Sequence, residues 1–171
     1  MPADPTTHDY KATVGLFASG VTILTCQGGD LTHGMTASSF CSVSLHPLLV
    51  LVCVQRDAVI RKVMNDAGRF AVSVLATDQE PLARWFSDPA RPPGTAQFEP
   101  FGWRPGPATG APLLDGALAT LECRTFAVYD GGDHSIIVGQ VAGVDGPADP
   151  SAQGPLIHHA GRYRRLRPTE D

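Results

Sequence analysis

Hydrophobic and polar positions follow a strand's period over most of this chain and a helix's period in three short places. Tyr10, Val14 and Phe17 recur at helical spacing, which predicts a short opening helix over residues 9–17. Residues 21–25 are rich in β-branched side chains and run into the turn signal Gly28-Gly29-Asp30. Residues 31–39 then return as the second arm of a hairpin. Residues 41–44 predict a shorter strand that ends near Pro47. Residues 48–54 are apolar without alternation, the pattern of a strand covered on both faces.

Asp57 is placed to cap a helix that carries Val59, Ile60, Val63 and Met64 on one side, with Gly68 as its stop. Phe70, Val72 and Val74 alternate with Ala71 and Ser73, so the next element is a strand. Thr77-Asp78-Gln79-Glu80 has the form of a capping box and predicts a second helix through Phe86. Residues 89–112 are dense in Pro and Gly around Phe101 and Trp103. They predict an irregular loop of a length that often serves as a lid or interface. Residues 118–129 and 134–144 predict two long strands, joined at the hairpin signal Asp130-Gly131-Gly132-Asp133. A last strand is predicted near residues 156–159. The sum is a mainly β fold with two or three helices, a β-barrel with helical additions and no internal repeat.

Length and charge narrow the function classes. A chain of 171 residues fits one domain, here residues 1–171 with a core from about 10 to 166. The formal net charge is −4, and the Arg162, Arg164, Arg165, Arg167 cluster is too short to be the basic stripe of a nucleic-acid binder. No apolar signal segment opens the chain, and the apolar run at residues 48–54 is too short to span a bilayer, so a cytoplasmic protein without membrane contact is expected. Cys26, Cys41, Cys53 and Cys123 show no CxxC spacing, and three of them sit in apolar runs where cysteine packs as a small hydrophobe.

Familiar site signatures are missing: no GxGxxG, no GxxxxGK[ST], no HExxH and no GxSxG. The adjacent His158 and His159 point to opposite faces of a strand and cannot chelate one ion together, so no metal site is expected. His134 is better placed, because Gly132-Asp133-His134 sets it at a turn where it can face a ligand. Turn residues of that kind are also common without function. Met35-Thr36-Ala37-Ser38-Ser39-Phe40 offers small side chains, hydroxyls and backbone donors beside an apolar strand. A ligand with a flat polar edge and an anionic tail suits that surface, and so does a plain hydroxyl-rich sheet edge.

Taken in order, these segments resemble the flavin reductase-like family, the reductase components of two-component flavin monooxygenases, which have the FMN-binding split β-barrel fold. The likeness is carried by Gly20-Val21-Thr22-Ile23-Leu24-Thr25 and by the run from Gly34-Met35-Thr36-Ala37-Ser38-Ser39 to Leu45. Leu49-Val50-Leu51-Val52-Cys53-Val54, Gly68-Arg69-Phe70-Ala71-Val72, Gly132-Asp133-His134 and Gly161-Arg162-Tyr163 continue it. The resemblance implies that Thr36, Ala37, Ser38, Ser39, Cys53, Val54 and Gln55 line a flavin, FMN or FAD. It implies that Asp133 and His134 meet reduced nicotinamide, NADH or NADPH, with His134 as the catalytic residue and Tyr163 near the same cleft. It also implies a homodimer, with Phe86 near the flavin at the subunit interface, and a monooxygenase partner.

Hydride transfer between such cofactors is their own chemistry, and the protein supplies orientation and electrostatics. The reacting atoms must approach within roughly 3–3.5 Å, which requires an open groove over the ring. Backbone donors would stabilise the charge of a reduced ring, so no acid–base pair is required. One departure stands out. Where the family places hydroxyls for the flavin phosphate, this chain has Asp57-Ala58-Val59-Ile60, leaving Arg56 or Arg61 to hold the phosphate by charge. That departure and the long loop keep two alternatives in view: an enzyme of the same fold acting directly on an organic substrate, and a non-enzymatic flavin carrier.

Overall fold

The computed structural model describes residues 4–146 and 153–166. In chain order the elements are α1 (Thr7–Val14), β1 (Ser19–Gly20), β2 (Thr22–Gly28), β3 (Leu31–Ala37), β4 (Cys41–Leu45) and β5 (Leu48–Gln55). They continue with α2 (Val59–Ala67), β6 (Arg69–Val74), α3 (Glu80–Ser87), a 3-10 helix (Gly94–Phe98), β7 (Trp103–Pro105) and β8 (Pro112–Leu114). The chain closes with β9 (Ala119–Gly131), β10 (His134–Asp145), β11 (Leu156–His159) and β12 (Arg162–Arg165).

One antiparallel sheet of seven strands, in the order β3-β2-β6-β9-β10-β5-β4, organises the molecule. Turn chemistry sets two of its three hairpins, β2–β3 across Gly28-Gly29-Asp30 and β9–β10 across Gly131 to His134, and β4–β5 turns at His46-Pro47. Helix α2 lays Ile60, Val63 and Met64 against Leu24, Val52, Val54, Phe70, Val72 and Ile137. Each such side chain contributes about 1.5–3 kcal/mol on burial. Gly68 ends α2 in the left-handed region, at φ 61°, where a residue without Cβ carries no strain. A second apolar cluster joins Leu82, Ala83 and Phe86 of α3 to Val21, Ile23, Leu75, Phe98 and Leu156.

Four expectations are corrected. Strand β5 is not covered on both faces within the chain: Val50, Val52 and Val54 are buried, whereas Leu49, Leu51 and Cys53 are only half-buried. Its second face is apolar but open to solvent at Leu49, Leu51 and Cys53. The capping box at Thr77 to Glu80 does not form. Thr77 Oγ1 donates to the Pro155 carbonyl, Gln79 Oε1 accepts from Ala76 N–H, and α3 begins without a side-chain cap. Asp57 likewise leaves α2 uncapped, Ala58 being at that position. The capping box that does form is at Thr6 and Asp9 of α1.

Residues 89–112 are not a free loop. They contain the 3-10 helix, with Gln97 and Phe98 fully buried, and β7, which pairs with β8 just beyond. The segment covers the face of β6 that α2 leaves open: Ala71 packs with Ala111 and Leu113, and Thr25 Oγ1 donates to the Pro112 carbonyl at 2.6 Å. Its bend at residues 106–111 is fixed by the buried Glu122. One carboxylate oxygen accepts from Ala108 N–H, Thr109 N–H and Thr109 Oγ1 at 2.7–2.9 Å.

Helix α1 has no buried residue, and Tyr10, Val14, Leu16 and Phe17 are exposed. Among the described residues no helix is long and apolar enough to cross a membrane.

Candidate functional site

A cleft of about 290 Å³ opens where the end of β3 meets the ends of β5 and β10. Met35, Thr36, Ala37, Ser38 and Ser39 form one wall, and Cys53, Gln55 and His134 form the other. Strand register explains the second wall. Gln55 pairs with His134 and Cys53 with Ile136, so Gln55 and His134 share a face, while Val54, opposite Ser135, turns into the core.

The hydroxyls of the first wall act chiefly on the protein. Thr36 Oγ1 donates to the Ala83 carbonyl of α3 at 2.7 Å. Ser39 Oγ takes the Cys53 N–H at 2.9 Å and donates to the Cys53 carbonyl at 3.0 Å, extending the β5 ladder beyond the reach of β4. Thr36 and Ser39 therefore fix the two walls relative to α3 and β5. What they leave toward a ligand is backbone, the exposed Ser38 and the Gln55 amide.

At the mouth, His134 Nδ1 and an Asp133 carboxylate oxygen lie 2.7 Å apart. That hydrogen bond, and next the imidazole's charge when protonated, hold the Asp133 carboxyl below the usual carboxylate range. The turn behind them is clamped by the Arg56–Asp130 ion pair and by Arg56 N–H donating to the Asp133 carbonyl at 3.1 Å. Arg56 holds Asp130 below its ordinary range as well.

Three other anticipated residues lie elsewhere. Phe86 is fully buried behind β3, its ring 5.2 Å from that of Phe98. Tyr163 stacks edge-on with His158, beneath the Arg84 guanidinium at 5.1 Å, in a separate depression with Arg162 and Arg164. Arg61 Nε donates to Ser135 Oγ at 3.1 Å, on the face of β10 opposite His134. With Arg56 and Lys62 it lines an open depression of about 530 Å³ at the end of β5.

Two residues that carried no signal in the sequence complete the surroundings. Gln97 and Arg91 bond to the main chain of β3 immediately before the cleft. Only a pattern of strand-edge hydrogen bonding, invisible in a Pro- and Gly-rich segment, would have found them.

A largely antiparallel sheet with a shallow cleft of backbone groups, small side chains and one histidine is a scaffold for a flat cofactor that does its own chemistry. Comparison with known proteins gives the class its family: residues 14–167 match the model of the flavin reductase like domain. The NADH-dependent FAD reductase of Streptomyces globisporus is 46% identical over 161 residues, 94% of this chain and 86% of that one. The reductase component of 4-hydroxyphenylacetate 3-monooxygenase from Thermus thermophilus is 39% identical, covering 92% of this chain and 95% of the relative. The structure of the Streptomyces globisporus NADH:FAD oxidoreductase SgcE6 in complex with NAD and FAD fragments superposes with a TM-score of 0.90. It is 41% identical and covers 100% of this chain and 99% of the other. The chain belongs to the flavin reductase-like family.

Proposed function

We propose that this protein is an NADH-dependent flavin reductase that passes reduced FMN or FAD to a partner monooxygenase. The observation that carries the reading is the cleft itself. Its one wall of main chain and small residues, from Met35 to Ser39, faces Cys53, Gln55 and His134, in a chain that shares 46% identity with an NADH-dependent FAD reductase. The partner class rests on relatives such as the 4-hydroxyphenylacetate 3-monooxygenase reductase component.

The residues fit a flavin. Thr36, Ala37, Ser38 and Ser39 present backbone polar groups to the ring's polar edge, and Cys53 and Gln55 close the opposite side. Bound there, the flavin supplies the hydride acceptor. Val54 contributes main chain alone, since its side chain is in the core. Beyond Gln55, on the other face of β10, Arg56, Arg61 and Lys62 gather beside Asp66, and a phosphate tail would have to round the end of β5 to use their charge. Arg56 is already committed to Asp130 and Asp57 stands beside it, so phosphate retention is weak and flavin exchanges as a substrate.

His134, steadied by Asp133, guards the entrance and orients the nicotinamide of NADH. The protein excludes bulk water only partly in the single chain, and a second copy completes the enclosure. Helix α1 without a buried residue, Val43, Leu45 and Leu48 around β4–β5, and Phe126 and Tyr129 on β9 are the exposed apolar surface of that homodimer. Four free cysteines accord with a reducing, cytoplasmic setting.

The test is NADH oxidation by purified protein with added FMN and then FAD. Many turnovers with at least one flavin are expected, and a rate no faster than the enzyme-free control overturns the reading. Residues 89–112, packed as they are, give no support to an enzyme with a lid acting directly on an organic substrate.

A further inference from the structure

Strand β3 lies at an edge of the sheet, and its free side is covered by side chains rather than by a strand. Gly34 N–H donates to Gln97 Oε1 at 2.9 Å, and Gln97 Nε2 donates to the Thr32 carbonyl at 3.1 Å. The same Nε2 reaches the Gly94 carbonyl at 2.7 Å, closing the 3-10 helix onto its own side chain. Arg91 Nη2 donates to the Gly34 carbonyl, and Arg91 Nε lies 3.4 Å from Gln97 Oε1. Gln97 is fully buried with every polar atom of its amide engaged. Its backbone carbonyl accepts from Trp85 Nε1 at 2.8 Å, which ties the arrangement to α3.

A primary amide presents a donor and an acceptor side by side, as a neighbouring strand does. Main-chain groups in a strand alternate in direction, so those of residues 32, 34 and 36 face the same side. Side chains satisfy the row at Thr32 and Gly34. The next pair in it belongs to Thr36, the residue at which the cleft begins and whose hydroxyl is held by Ala83.

We infer that Gln97, assisted by Arg91, is a positioning residue for the flavin cleft: its amide substitutes for a strand up to Gly34 and so presents the Thr36 main chain to the ligand. The inference rests on the flavin reading above. It goes beyond that reading in giving a role in flavin recognition to a residue that touches no ligand. Loss of the amide would let the β3 edge relax at the point where the cleft starts, weakening flavin binding and leaving the nicotinamide side alone.

The test compares wild type with Gln97→Met, which keeps the length of the side chain and removes the amide, and with Gln97→Glu, which keeps the acceptor for Gly34 and Arg91. Gln97→Met is expected to raise the KM and Kd for FMN and FAD about tenfold, the loss of roughly one good hydrogen bond. Its kcat at saturating flavin and its KM for NADH should stay within about twofold of wild type. Hydrogen exchange should quicken at the Gly34 amide and not in β9. Gln97→Glu, whose second carboxylate oxygen would face the Thr32 and Gly94 carbonyls with no donor to offer, should not restore the flavin affinity. Arg91→Met, at the half-buried end of the contact, should show the same split at about threefold.

A folded Gln97→Met with unchanged flavin KM overturns the inference. So does a parallel drift of both KM values and kcat with Tm, which would make Gln97 a residue of stability alone. Failure of both Gln97→Met and Arg91→Met to fold has the same meaning. Wild type that binds neither flavin takes down the flavin reading and this inference with it; wild type that binds, beside variants that do not differ, removes this inference only.

Discussion

Burial, and next the positive charge of Arg91, press the His33 imidazole down to about 4, so it stays neutral and its Nε2 faces Arg91 Nη2 at 3.0 Å. The unfolded chain takes up that proton near the ordinary 6.5 and the folded chain only near 4. Between those values the unfolded state binds more protons, so the contribution of His33 to stability is complete above pH 6.5 and is lost as pH falls toward 4. His33→Gln, which still accepts from Arg91 and does not titrate, is expected to flatten the fall of Tm over that window. A slope equal to wild type would contradict the assignment. Asp133 and His134 call for a kinetic measurement instead. His134→Ala and Asp133→Asn should each lower kcat/KM for NADH by about tenfold or more, with the flavin KM little changed. Asp133, held ionised by its partner, should add no titration of its own to the pH–rate profile near neutrality.

Among the elements, the β9–β10 pair sets the tightest packing demand. A Cβ on Gly139 would lie 2.6 Å from the Phe70 ring and 2.9 Å from Cys123 Cβ, at a register shift where β10 crosses the core. Gly139→Ala is therefore expected to cost about 1–3 kcal/mol in chemical denaturation, by overpacking, while leaving the distant cleft's KM values unchanged. The β2–β3 and β9–β10 hairpins, α2 with its Gly68 stop, and the strand from Arg69 were legible in the sequence, because turn residues and side-chain period are local properties. The capping box failed because its residues found other partners: Thr77 bonds the distant Pro155, Gln79 bonds the distant Asp115 and its near neighbour Ala76, and Glu80 pairs with Arg84. The ordered structure in residues 89–112 was hidden because its shape comes from Gln97, Phe98 and Glu122, which act across the fold and leave no period. Strand β12, Arg-Tyr-Arg-Arg with no apolar alternation, gave no strand signal and exists by pairing with β11. Of the cleft, the residues 36–39, Gln55 and His134 were readable as motifs; that the Thr36 and Ser39 hydroxyls hold walls rather than a ligand was not.

At the scale of the whole molecule, the exposed apolar positions on α1, β4 and β9 predict a particle of twice the chain's 18.1 kDa in sedimentation equilibrium. Phe126→Asp or Leu45→Asp should shift it toward monomer and weaken flavin binding together; a monomeric wild type would refute the homodimer. The edge strand β3 has one more consequence. An uncovered strand edge is a template on which another chain can lay a strand and begin an aggregate. Gln97 and Arg91 blunt that template up to Gly34, and the stretch they leave open is where the cleft begins. A flavin seated there, as proposed, would also plug the sheet, and protein stripped of it should form higher-order species sooner on storage than protein kept saturated.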